Sequence, residues 1–269
     1  MTTYGFIGCG NMGGALARAL AKAQDPTTIL LANRTFAKAQ ALAAEIGACA
    51  VSVEDAAARA DVLVLGVKPQ NLADLFVGIG PVLAARTGAP ILVTMAAGRS
   101  IAAIRKLAGP GPDGAAYPVI RIMPNLPASI GEGVTLICAD GVDDARLQAF
   151  KEAFAASGRF VDLSEDLFDA GMAISGCAPA FAFMFADALA KGGVAAGLDE
   201  DVALALAMQT MRGSAALMQA DPRTPTELTR AVCSPGGTTI EGVEALRAAG
   251  FEDTVAAAVM ASYDKAKRM

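Results

Sequence analysis

Two glycine-bearing segments carry the residues most able to do chemistry. The run Cys233-Ser234-Pro235-Gly236-Gly237-Thr238-Thr239-Ile240 breaks a helical region with a bare glycine pair and at once restarts it. Backbone N–H groups left uncovered at the dipole-positive start of the next helix form a seat for an anion, and a carboxylate fits it. Thr238 and Glu241 have the S/T-x-x-E spacing of a capping box. The same residues are also compatible with a plain linker followed by a capped helix.

The second segment is Gly8-Cys9-Gly10-Asn11-Met12-Gly13, which follows the apolar run Tyr4-Gly5-Phe6-Ile7 and precedes a helical pattern from Gly14 to Leu20. This strand, glycine turn and helix is the arrangement that holds a pyrophosphate. Gly8 permits the tight turn, Gly10 lets the phosphates approach, and Gly13 lets the helix lie on the strand. Further apolar runs at Thr28–Ala32, Asp61–Leu65 and Ala89–Val93 alternate with helical segments. The chain therefore reads as α/β, with a Rossmann-type dinucleotide-binding domain at its N-terminal end.

The residues after the second strand select the dinucleotide. An Asp or Glu there holds the ribose 2'-hydroxyl of NAD. Here the sequence is Asn33-Arg34-Thr35, with no carboxylate before Glu45. A planar cation flanked by neutral hydrogen-bonding groups suits a 2'-phosphate, so NADPH is expected over NADH. The worth of one charge-assisted hydrogen bond, about 1.5 to 3 kcal/mol, sets the preference at about ten- to a hundredfold.

Composition narrows the remaining classes. The chain has 269 residues, is 54% hydrophobic and 18% charged, and has a formal net charge of -5. These values describe a globular protein and argue against a general nucleic-acid surface. The uncharged stretch from Ala170 to Ala186 contains Ser175, Gly176 and Pro179 and is read as too short and too interrupted to span a bilayer. No leader pattern precedes the glycine turn, so a soluble cytoplasmic protein is expected. The five cysteines are scattered without a CxxC pair and there is no histidine, so no metal site is expected and a Ser-His-Asp hydrolase is excluded.

The alternation ends at Phe160-Val161-Asp162, and almost every later segment reads helical. The expected division is a dinucleotide-binding domain over 1–162 and an all-helical domain over 163–269. Helices are expected to begin at Ser164, at Asp199 and at Thr224-Pro225, the last with a capping box to Glu227, and Asp253 is expected to cap the last one. The segment Val202–Met211 is apolar on nearly every side, and Leu204, Met208, Met211, Ala215 and Met218 recur at helical spacing. Such a helix needs burial all round, which points to packing against a second copy in a homodimer.

These features together resemble the pyrroline-5-carboxylate reductase family. The resemblance covers the whole chain. It rests on Gly5-Phe6-Ile7-Gly8-Cys9-Gly10-Asn11-Met12, Val67-Lys68-Pro69-Gln70, Ala96-Ala97-Gly98, Arg121 to Ala128 with Gly131-Glu132-Gly133, and above all Ser234 to Ile240. It implies NAD(P)H-dependent reduction of 1-pyrroline-5-carboxylate to L-proline, the last step of proline biosynthesis. It also implies a helical dimerisation domain, an active site between subunits, and dimers that can assemble into decamers.

By the same resemblance Val67, Lys68 and Pro69 border the cofactor, Ala96 and Ala97 lie near the nicotinamide, and Asn125 joins the cofactor-binding set. Ser234, Pro235, Gly236, Gly237 and Thr238 receive the substrate carboxylate, and Thr239 places its hydroxyl at the ring nitrogen. One segment departs from the family pattern: Ser175-Gly176-Cys177-Ala178-Pro179-Ala180-Phe181 stands where Ser-Gly-Ser-Gly-Pro-Ala-Tyr is usual. A related cyclic imino acid therefore remains an alternative substrate, and a non-catalytic NADP-binding sensor an alternative function. A β-hydroxyacid dehydrogenase is disfavoured because Gly176 to Ala190 contains no lysine to serve as its base.

Overall fold

The computed structural model describes residues 1–268. They divide into two compact units, one of Met1–Gly176 with the C-terminal segment from Tyr263, the other of Cys177–Ser262.

The first unit is built on an eight-stranded sheet in the order β3-β2-β1-β4-β5-β6-β7-β8. Its strands are β1 (Tyr4–Ile7), β2 (Ile29–Ala32), β3 (Cys49–Ala50), β4 (Val62–Leu65), β5 (Ile91–Thr94), β6 (Val119–Met123), β7 (Gly133–Asp140) and β8 (Gly158–Asp162). The first six are parallel, β7 runs antiparallel to β6, and β8 is parallel to β7. Every residue of β1, β2, β4, β5 and β6 is buried. This explains why those strands read as unbroken apolar runs: helices cover both faces.

Successive side chains point to opposite faces. Phe6, Leu31, Val64 and Val93 pack on one side against α1 (Asn11–Leu20), α2 (Phe36–Ile46) and α6 (Asp144–Ala153). Ile7, Leu63, Leu65 and Leu92 pack on the other against α3 (Val53–Arg59), α4 (Leu72–Ala84) and α5 (Ile101–Ala108). A smaller cluster of Met123, Leu136 and Phe168, with Ala97 and Met172 against it, seats α7 (Phe168–Ser175) on the sheet. A methyl at Gly171 would lie 2.7 Å from Leu136 Cδ1, so that glycine lets α7 approach closely. This packing carries the first compact unit on to Gly176.

The second unit contains α8 (Ala178–Ala195), α9 (Glu200–Ala220), α10 (Pro225–Val232), α11 (Thr238–Ala248) and most of α12 (Phe251–Ala266). Asp199 caps α9 through the Asp201 N–H. Thr224 and Glu227 form the expected capping box with Pro225 in the first turn. Asp253 does not cap α12. That helix starts at Phe251, the Thr254 N–H donates to Gly250 O, and Asp253 supplies negative charge to the first turn instead.

The buried apolar cluster of this unit consists of Ala190, Ala203 and Ala207, where α8 crosses α9. Leu206 and Met208 are each 55% exposed and Phe183 is 58% exposed. Away from that crossing, the larger apolar side chains of α9 are left exposed by their own chain. The helical run Glu165–Ala195 is by length and composition long and apolar enough to cross a bilayer. Within it, the uncharged stretch from Ala170 to Ala186 is interrupted by the turn at Gly176–Cys177, which separates α7 from α8.

Candidate dinucleotide site and carboxylate seat

The sheet order reverses between β1 and β4: the chain leaves β1 toward β2 and β3, then returns to build outward from β4. In open α/β sheets, ligands bind at the carboxyl ends of the strands at such a switch point. Gly8 follows β1 there, with a φ of 112°. A methyl at Gly8 would sit 2.5 Å from Gly66 O, one at Gly66 2.6 Å from Gly8 O, and one at Gly13 2.1 Å from Gly8 O. Side chains are thus excluded where the turn, the end of β4 and the start of α1 converge.

A methyl at Gly10 would meet nothing within 4 Å, which leaves the turn open on its outer side. Gly10 is the N-cap of α1 without any side-chain cap, and the first turn holds no acid. The N–H groups at the start of α1 therefore face an open cradle with no competing carboxylate, which fits a pyrophosphate. Asn11 is exposed, Met12 half-buried and Gly13 buried.

Asn33 fixes this turn from the next strand. Its side-chain oxygen accepts the Cys9 N–H at 3.1 Å and its amide donates to Thr35 O at 3.0 Å. Sequence reasoning placed Asn33 among the groups facing the cofactor, whereas its carbonyl and one amide hydrogen are used inside the protein. Arg34 and Thr35 are exposed beside it, and Thr35 is the N-cap of α2, whose first turn carries no acid. Glu45, the first carboxylate after β2, is held by Arg18 at 2.6 Å. Burial pushes the Cys9 thiol up to about 11. That thiol lies 3.5 Å from Ala32 O, so it is a protonated filler of the turn.

Val67, Lys68 and Pro69 follow Gly66 at the end of β4. Val67 packs against the core, Lys68 is exposed, and Pro69 opens a short 3-10 turn. Ala96 and Ala97 follow β5 in a loop with Gly98 at φ 67°, where the Arg99 N–H donates to Ala96 O and the Ala96 N–H to Thr94 Oγ1. Asn125 follows β6 and is buried. Its side-chain oxygen accepts the Val134 N–H and its amide donates to Ser175 O, each at 3.0 Å. The turn, the β2 end, the β4 end, the β5 loop and Asn125 thus gather at one edge of the first unit.

Sequence reasoning missed Gly66, which the lone glycine directly after β4 could have signalled. It also gave no role to Arg121, a charge in an otherwise apolar strand. A concavity of about 820 Å³ lies elsewhere, at the amino ends of β4 and β5 beside Asp61, Arg86 and Ala89. It is not part of the dinucleotide edge.

In the second unit, Ser234 to Gly237 form a turn with Gly236 at φ 71° and the Gly237 N–H donating to Ser234 O at 3.0 Å. The expected capping box at Thr238 and Glu241 does not form. Gly237, with φ -82° and ψ 166°, takes the N-cap position and Thr238 is already helical, so no side chain caps α11. The N–H groups of its first turn are left without a side-chain acceptor, which suits the expected carboxylate better than the box would. Ser234, Pro235, Gly236, Thr238 and Thr239 are all exposed.

The fold and the glycine turn define a dinucleotide-dependent oxidoreductase. The family model for NADP oxidoreductases, coenzyme F420-dependent, matches residues 3–98, and that for pyrroline-5-carboxylate reductase dimerisation matches residues 165–269. The pyrroline-5-carboxylate reductase of Pisum sativum is 34% identical over 99% of this chain and 96% of its own length. The structure of a pyrroline-5-carboxylate reductase from Coxiella burnetii is 28% identical, with a TM-score of 0.90 over 99% of this chain and 98% of that one. The Plasmodium falciparum pyrroline carboxylate reductase, solved with NADP bound, is 27% identical, with a TM-score of 0.85 over 99% and 97%. The chain belongs to the pyrroline-5-carboxylate reductase family.

Proposed function

We propose that the protein reduces 1-pyrroline-5-carboxylate to L-proline, with NADPH preferred over NADH. The observation that carries this reading is the pairing, in one chain of this family, of an open glycine cradle at Gly8–Gly13 with an uncapped helix start at Gly237–Thr238.

When bound, the reduced nicotinamide supplies a hydride to the imine carbon. The chain's own residues bind and orient. Ser234, Pro235, Gly236, Gly237 and Thr238 grip the substrate carboxylate, chiefly through the N–H groups at the start of α11 that no side chain caps. Thr239 directs its hydroxyl at the ring nitrogen. A cyclic imine carries its proton readily near neutrality, so positioning the iminium supplies most of the catalysis and a strong acid is dispensable. This is consistent with a sequence that lacks histidine. Arg34 holds the 2'-phosphate, and Val67, Lys68, Pro69, Ala96, Ala97 and Asn125 line the remainder of the cofactor's path.

The working form is a homodimer, able to assemble further into a decamer, in the cytoplasm and independent of membrane and nucleic acid. The apolar faces of α8 and α9 that the single chain leaves uncovered support this assembly.

The test is loss of reduced-nicotinamide absorbance on adding pyrroline-5-carboxylate, run separately with NADPH and NADH. Turnover that is faster with NADPH is expected. Binding of NADPH without oxidation by any cyclic imine would establish a sensor instead. Faster turnover with a differently sized ring would assign the related substrate that Cys177, Ala178 and Phe181 leave open.

A further inference from the structure

The strand β6 carries a charge where its neighbours are apolar. Arg121 is 5% exposed and lies in register between Thr94 of β5 and Cys138 of β7. Its Nη1 donates to Glu165 Oε1 at 3.0 Å, its guanidinium stacks 4.5 Å from the centre of the Phe168 ring, and its Nε has no partner. Arg121 is buried while the Glu165 side chain is 34% exposed, and the desolvation of the guanidinium offsets much of what the attraction contributes to stability. The presence of the pair here therefore calls for a role other than stability.

The carboxylate shows what that role is. The Glu165 oxygen that meets Arg121 also accepts the Ile101 N–H at 2.7 Å. Ile101 is the first residue of α5, directly after its cap Ser100, whose hydroxyl accepts the Ala103 N–H. The loop from Met95 to Ser100 is thus held at its front by Thr94 Oγ1 bonding the Ala96 N–H, and at its back by Glu165. From the side, Ala97 packs in the cluster that contains Phe168, the ring on which Arg121 stacks. One ion pair reaches the loop both through the Ile101 N–H and through the Phe168 ring.

We propose that Arg121 and Glu165 are a positioning pair that sets the depth of the Ala96-Ala97 loop, and through it the distance over which hydride passes to the substrate. This rests on the reductase reading, in which Ala96 and Ala97 face the nicotinamide. Neither side chain needs to touch cofactor or substrate. Cofactor affinity comes mainly from the glycine turn and from Arg34, so a misplaced loop lowers kcat and leaves NADPH binding nearly unchanged.

The experiment compares full-length wild type, Glu165→Ala and Glu165→Gln. It measures NADPH affinity by fluorescence, kcat with pyrroline-5-carboxylate, and the primary isotope effect with NADPH deuterated at the transferred C4 position. Glu165→Ala frees the Ile101 N–H. It is expected to lower kcat by about ten- to a hundredfold, the scale of a misplacement near 1 Å, and to raise the isotope effect as hydride transfer becomes slowest. Glu165→Gln keeps an oxygen for the Ile101 N–H and is expected to recover most of the rate.

A folded Glu165→Ala with wild-type kcat and isotope effect would overturn the proposal. So would a loss of kcat that only follows the loss of NADPH-binding protein, because that is a purely structural defect. If Glu165→Ala does not fold, Arg121→Lys, which keeps the charge but loses the planar stacking, takes its place with the same expected rise and the same overturning result. A wild type inactive with every cyclic imine overturns the reductase reading itself, an outcome visible before any variant is compared.

Discussion

The side-chain oxygen of Asn33 accepts the backbone N–H of Cys9 at 3.1 Å, tying the glycine turn after β1 to the loop after β2. The amide of the same side chain donates to Thr35 O. Asn33 therefore orders both the pyrophosphate cradle and the segment that carries Arg34. Asn33→Ala is expected to raise the KM for NADPH about three- to tenfold, the scale of one or two net hydrogen bonds. kcat should hold, because the hydride-transfer geometry lies on other loops. Steady-state kinetics with varied NADPH decides it, and an unchanged KM would reduce Asn33 to a loop tether.

Arg34 is exposed beside this tether, and the first acid after β2, Glu45, is paired with Arg18. Arg34→Ala should lower kcat/KM with NADPH by about ten- to a hundredfold while sparing NADH, since only the former carries a 2'-phosphate. Equal losses with the two cofactors would remove Arg34 from cofactor selection.

Thr239 stands exposed in the first turn of α11 with its helix start uncapped. Thr239→Ala should lower kcat/KM about tenfold or more, as expected for loss of one hydrogen bond near 1.5 kcal/mol to the reacting nitrogen. Unaltered kinetics would leave orientation of the imine to other groups.

Burial holds the Cys9 thiol at about 11, and burial followed by the nearby Glu165 charge holds the Cys138 thiol at a similar value. Both folded values lie above the unfolded one, so the folded state keeps its protons longer. The stability they contribute is complete below the unfolded value of about 8.5 and is lost as pH rises through about 11. Denaturant midpoints should fall over that window, and Cys9→Ala should flatten the fall. An equal slope in wild type and variant would remove Cys9 as a source of the pH dependence.

The parts of this fold that follow from local rules were legible in sequence. The strand, glycine turn and helix of β1 and α1 follow from residue spacing, and so does the Thr224–Glu227 box. Thr238 and Glu241 have the same spacing and form no box. The difference is backbone conformation: Gly237 adopts the extended N-cap geometry and pushes Thr238 into the helix. Spacing alone does not say which residue takes that position. Gly66 went unread because its contact is with Gly8, a loop brought near only by β1 pairing with β4. Arg121 is visible as a charge in an apolar strand, but its partner Glu165 lies 44 residues away and is fixed by how α7 seats on β7.

Three alanines are all that the second unit hides as an apolar cluster, and methyl groups of that size release little free energy on leaving water. Such a unit draws its folding energy from association, so mass action governs it: in the proposed dimer the melting temperature should climb with protein concentration. Dilution would then act as a denaturant of the helical half.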